Sequence, residues 1–162
     1  LGQGLTIHFT SVADAQFNPQ FKERILRVYL LFPELQDKAI TCGFIRRGAH
    51  VAGTARSWKQ QIALQQNVGN TTIAHELTHL LQGKNGVPHG EKACDIWAVA
   101  RLPEGMLDEQ PYYLLRHWHR ERWLRHRASV RELCAQAIEV RKTNNNGRYI
   151  KWLSGQLLRL KH

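Results

Sequence analysis

Two histidines four residues apart, with a glutamate directly after the first, are the part of this chain best suited to chemistry: His75-Glu76-Leu77-Thr78-His79. On a helix, residues i and i+4 project from one face, so both imidazoles reach a single zinc ion. Glu76 stands beside them and can act on a water held by that metal. Zinc would supply the Lewis acidity. Glu76 would take the proton of a water attacking a carbonyl and pass it to the leaving amine. The chain has nine histidines, so a chance match has to be weighed. Context argues against chance: Asn70 is a good N-cap, the motif falls in the middle of the helix that follows, and a short alternating strand precedes it.

A catalytic zinc site takes a third protein ligand and keeps one position for water. A histidine six residues after His79 would make a metzincin, but Asn85 occupies that position. His89 lies ten residues on and Glu91 twelve. Glu91 is favoured, because a carboxylate in the first turn of a helix is stabilised by the dipole and held rigidly; His89 is the alternative. Asp95 follows Glu91 by one turn on the same face, where it can bond the outer nitrogen of His75 and fix its tautomer.

The stretch from Gln61 to Arg101 resembles the gluzincins, in which HExxH is followed by a second helix bearing ExxxD. It is most similar to the soluble minimal gluzincins, or minigluzincins. The residues that carry the likeness are His75, Glu76 and His79, then Gly90-Glu91-Lys92-Ala93-Cys94-Asp95-Ile96-Trp97. The resemblance implies zinc held by His75, His79 and Glu91, Glu76 as general base and acid, and Asp95 behind a histidine. It also implies that residues 61–65 form the edge strand roofing a cleft, to which an extended peptide or unfolded protein adds through main-chain hydrogen bonds. Only eleven residues separate His79 from Glu91, which suits a minimal scaffold and departs from thermolysin-like enzymes. Such peptidases often carry a further donor for the tetrahedral oxyanion. Tyr112, Tyr113, His50 and Arg101 are available, although tyrosines at a helix start usually pack and Arg101 complements the end of its own helix.

The elements that must position these groups follow from periodicity. Residues 5–9, 39–46, 50–58 and 61–65 read as strands, the last three as a meander. Asn18-Pro19 opens an amphipathic helix that Pro33 closes. Helices are expected over 71–82, 91–102, 112–142 and 148–161, with the run 143–147 as a break. The fold class is α+β: a small mixed or antiparallel sheet of about four strands, an N-terminal helix, the HExxH helix, the glutamate helix and a C-terminal helical extension.

The chain has 162 residues, 43% apolar and 22% charged, a globular composition. No run of residues is apolar enough to cross a bilayer. No secretory leader is visible, and three scattered cysteines argue against a disulfide framework, so a reducing cytoplasm is expected. The net charge of +10 is uneven: residues 1–110 hold 11 Lys and Arg against 10 acidic residues, whereas residues 111–162 hold 12 against 3. This suggests a catalytic domain over 1–110 and a basic helical extension over 111–162 that packs on it. Aromatics interleave with arginines over 112–127, which admits nucleic acid as a partner through 112–162. Helical spacing of Leu115, Trp118 and Arg122 fits docking of the extension with a solvated basic face, and that reading is preferred. Two further readings stand: a nucleic-acid-associated protease resembling the SprT/Spartan group, with His89-Gly90 supplying the third ligand, and a non-catalytic zinc-containing binding module.

Overall fold

The computed structural model describes residues 7–84, 86–143 and 148–160. Leu5 and Thr6 of the expected first strand, the break at 144–147 and Lys161 lie outside the described residues. The fold is α+β, with one four-stranded mixed sheet. In chain order the elements are β1 (Ile7–Phe9), α1 (Ser11–Gln16), α2 (Pro19–Tyr29), β2 (Ile40–Ile45), β3 (Gly53–Arg56), β4 (Gln61–Gln65), α3 (Asn70–His79) and α4 (Glu91–Arg101). A short helix α5 (Tyr112–Leu115), a long α6 (Arg120–Thr143) and α7 (Tyr149–Leu158) complete it.

Asn18 caps α2 as its sequence suggests, its side chain accepting from the Phe21 N–H at 2.8 Å with Pro19 in the first turn. Phe21, Ile25, Val28 and Tyr29 then fall on one buried face.

The sheet order is β1-β2-β4-β3, and the expected meander is not formed. β1, β2 and β4 run parallel; among the described residues β3 pairs, antiparallel, with β4 alone. The edge strand of the sheet beside α3 is therefore β3, not residues 61–65. Side-chain size explains the exchange. β4 brings Ile62 and Leu64, both wholly buried, and an interior place covers them. Gly53-Thr54-Ala55-Arg56 has little apolar surface to bury, and Thr54 and Arg56 are exposed.

Two helix boundaries also differ from expectation. α3 is capped by Gly69 rather than Asn70. Its first N–H groups are satisfied from a distant segment: Asn70 N–H donates to Asp108 Oδ2 at 2.8 Å, Thr71 N–H to Asp108 Oδ1 at 3.2 Å and Thr72 N–H to Glu109 Oε1 at 3.0 Å. Two carboxylates at a helix N-terminus also complement its dipole. The single helix expected over 112–142 is broken at residues 116–119, because the Gln110 amide donates to the Leu115 and Trp118 carbonyls and replaces helical N–H donors there.

The C-terminal helices share the core of the rest of the chain. Trp123 is fully buried, and its indole N–H donates to the Asp108 carbonyl at 2.9 Å. Arginines of α6 satisfy carbonyls at the ends of other elements: Arg127 bonds Leu107, Arg131 bonds Leu102, and Arg122 bonds Leu157 and Leu160 at the end of α7. Cys42, Cys94 and Cys134 are free and buried. Among the described residues no helix is long and apolar enough to cross a membrane.

Candidate metal centre

β4 leads into α3, which carries His75 and Glu76, both buried, and His79. One helical turn brings the two imidazoles edge to face, with Nε2 to Nε2 3.0 Å. The first residue of α4 meets them: Glu91 Oε1 lies 2.8 Å from His79 Nε2 and 3.3 Å from His75 Nε2.

The outer ring nitrogens fix the tautomers. His75 Nδ1 lies 2.7 Å from Asp95 Oδ1; a carboxylate only accepts, so Nδ1 carries the proton. His79 Nδ1 lies 2.6 Å from Gln82 Oε1. The Gln82 amide cannot be turned round, because its Nε2 donates to the carbonyls of Pro88 at 3.0 Å and Gly90 at 2.7 Å. His79 Nδ1 therefore also carries its proton. In their neutral forms both imidazoles point the Nε2 lone pair inward, towards an enclosed Glu91 Oε1 that accepts no hydrogen bond from the described residues. Three electron-pair donors converge with no proton among them. Their separations approach the edge of a tetrahedron with metal–ligand bonds of about 2.0–2.1 Å, roughly 3.3 Å.

The surrounding charge points the same way. Burial alone would lower the His75 imidazole, but its hydrogen bond to Asp95 and the negative charges of Asp95, Glu76 and Glu91 outweigh that and leave it raised. Burial pushes the Glu76 carboxyl up to about 7, with Glu91 and Asp95 adding to the rise and His75 opposing it. A bound cation would lower Glu76 again.

Cys94, free and buried, stands close by. His75, His79 and Cys94 lie close enough to hold a metal ion, their ligand atoms all within 4.8 Å of one another. The Cys94 thiol already donates to the His75 carbonyl at 3.0 Å, and burial raises its pKa steeply, so it is held as a neutral donor.

A cleft of about 780 Å³ opens over these groups. Glu76, His50, His89, Tyr112, Tyr113 and the β3 strand line it. Tyr113 stacks on the His75 ring at 5.7 Å and 18°. Its hydroxyl is pushed up to about 12, first by desolvation and then by the Glu91, Glu76 and Asp95 carboxylates. The Tyr113 and Leu114 N–H groups donate to Asp95 Oδ2 at 2.8 and 3.0 Å, so Asp95 joins His75 to the start of α5. Tyr112 is exposed and meets Tyr113 edge-on. The His89 ring lies over Gly83. Arg101 is committed elsewhere, to Glu34 at 2.7 and 2.8 Å and to the face of Phe32.

Gln82 belongs to no motif in the sequence, although it stands three residues after His79, just past the end of α3, at a spacing that can be searched for. Gly53 is a glycine inside the expected strand 50–58, a position that marks a bulge or a close approach, and Glu76 lies against it. Comparison with family models, with curated proteins and with solved structures returned no significant match, so the chemistry of the centre is argued from its own geometry.

Proposed function

We propose that this chain is a zinc metallopeptidase of gluzincin type that cleaves extended peptides or unfolded protein. The observation that carries the proposal is the triangle of His75 Nε2, His79 Nε2 and Glu91 Oε1, with both outer nitrogens donating their N–H to Asp95 and Gln82. Two imidazoles and a carboxylate suit zinc, and three protein ligands leave a position for water. Glu91 is preferred to Cys94 as third ligand because its Oε1 accepts no hydrogen bond, whereas the thiol is occupied.

Bound there, zinc would supply Lewis acidity and a water of lowered pKa. The chain does the rest. Glu76 takes the proton from the attacking water and returns it to the leaving amine. Asp95 and Gln82 keep the imidazoles in the metal-binding tautomer. Among the described residues β3 pairs with β4 alone, so its outer side offers main-chain donors and acceptors to an extended substrate lying in the cleft. The Tyr113 hydroxyl, kept protonated on a ring that stacks on His75, is the donor favoured for the developing oxyanion over Tyr112. Engagement of Arg127 and Arg131 with the Leu107 and Leu102 carbonyls supports a docking role for 111–162 over a nucleic-acid arm.

Glu76→Gln tests the assignment. The variant should bind zinc as wild type does and lose hydrolysis of an unfolded protein, because an amide cannot accept the proton. Full cleavage by that variant would remove Glu76 as the base.

A further inference from the structure

We infer that Gln82 is a positioning residue that couples the two metal-bearing helices, an inference that rests on the zinc reading above. Its side chain uses all of its hydrogen-bonding groups. Oε1 accepts from His79 Nδ1 at 2.6 Å, while Nε2 donates to Pro88 O at 3.0 Å and Gly90 O at 2.7 Å. One end thus sets the tautomer and ring angle of His79. The other end holds the chain immediately before Glu91.

The backbone around it completes the clamp. Gly83 N–H donates to Val87 O at 2.8 Å, and Gln82 bridges Val87 as a short parallel pair. Gly90 caps α4 with φ 104° and ψ 154°, a conformation open essentially to glycine alone. That conformation turns the Gly90 carbonyl to two donors at once, Gln82 Nε2 and the Cys94 N–H at 3.1 Å. The position of Glu91 relative to His79 is therefore set through a single amide. Asp95 has the corresponding task at His75, reached from the opposite helix. A carboxylate suits His75, which is enclosed; an amide suits His79 because only an amide can also donate to two carbonyls.

The test compares the full-length wild type with Gln82→Met and Gln82→Glu. Zinc affinity is read by chelator competition, folding by thermal melting of the metal-free chain, and the His79 Nδ1–H proton by NMR of the zinc-loaded chain. Gln82→Met removes every hydrogen bond at nearly constant size. It should weaken zinc by about 10- to 100-fold and move the Nδ1–H resonance upfield or lose it to exchange. Gln82→Glu keeps the acceptor and loses both donors, so it should retain a downfield Nδ1–H resonance yet still bind zinc less tightly than wild type. Should Gln82→Met not fold, Gln82→Glu decides alone by the same two readouts. Zinc affinity within about twofold of wild type in the folded variants, or an unchanged Nδ1–H signal in Gln82→Met, would overturn the inference. Absence of zinc binding by the wild type would instead remove the metal-centre reading, and this inference with it.

Discussion

Gly53 lies so close to Glu76 that a methyl group on its Cα would stand 2.7 Å from Glu76 Cγ and 2.8 Å from Oε2. The edge strand is bare at that point, and the proposed general base occupies the space. The relationship is steric and directional: β3 cannot carry a side chain there without moving the carboxylate.

Gly53→Ala should therefore impair catalysis without emptying the site. His75, His79 and Glu91 are untouched, so zinc content should match wild type. Displacement of Glu76 by a fraction of an ångström to one ångström should reduce kcat by on the order of 10- to 100-fold. Metal analysis alongside single-turnover hydrolysis checks this. Equal loss of zinc and activity would mean that Gly53 supports the fold rather than Glu76.

What the sequence made legible was local. His75 and His79, and then Glu91 and Asp95, are pairs at i and i+4, and helical period alone places each pair on one face. Asn18-Pro19 marked the start of α2 because capping is decided within four residues. The strand order was not legible. Whether Gln61–Gln65 or Gly53–Arg56 takes the edge depends on which strand must hide Ile62 and Leu64 from both sides, a competition between segments. The cap of α3 escaped for the same reason, since Asp108 and Glu109 arrive from almost forty residues away in place of Asn70. The break after Leu115 depends on Gln110, whose amide reaches ahead to two carbonyls, so the aromatic-basic pattern over 112–127 gave no warning of it.

Acidity should weaken one specific clasp. Arg101, in the last turn of α4, holds Glu34 through two hydrogen bonds. That bond keeps the Glu34 carboxyl below its ordinary 4.5, against the opposing effect of burial. A carboxyl whose pKa is depressed on folding stabilises the native state above its unfolded pKa, and the contribution fades as pH falls through the folded value. Glu34→Gln should thus melt below wild type at neutral pH, and the gap should close on acidification below 4.5. A gap independent of pH would show that the carboxylate charge is not the source.

The C-terminal extension should be needed for folding. Trp123 is wholly buried and holds Asp108, whose carboxylate caps the helix bearing His75 and His79. Trp123→Ala should cost about 3–5 kcal/mol of stability, read as a fall in Tm. A 1–110 fragment, which leaves that apolar surface uncovered, should aggregate or melt well below the full chain. If the fragment folds alone with an unchanged Tm, the extension is an independent arm.

Zinc X-ray absorption on the full chain reads the proposed ligand set itself. About one zinc per chain is expected, with a shell of nitrogen and oxygen near 2.0–2.1 Å and no sulfur. The shell should be built from His75, His79, Glu91 and water. A sulfur scatterer near 2.3 Å would put Cys94 in place of Glu91, and a chain that takes up no zinc would contradict the metal centre altogether.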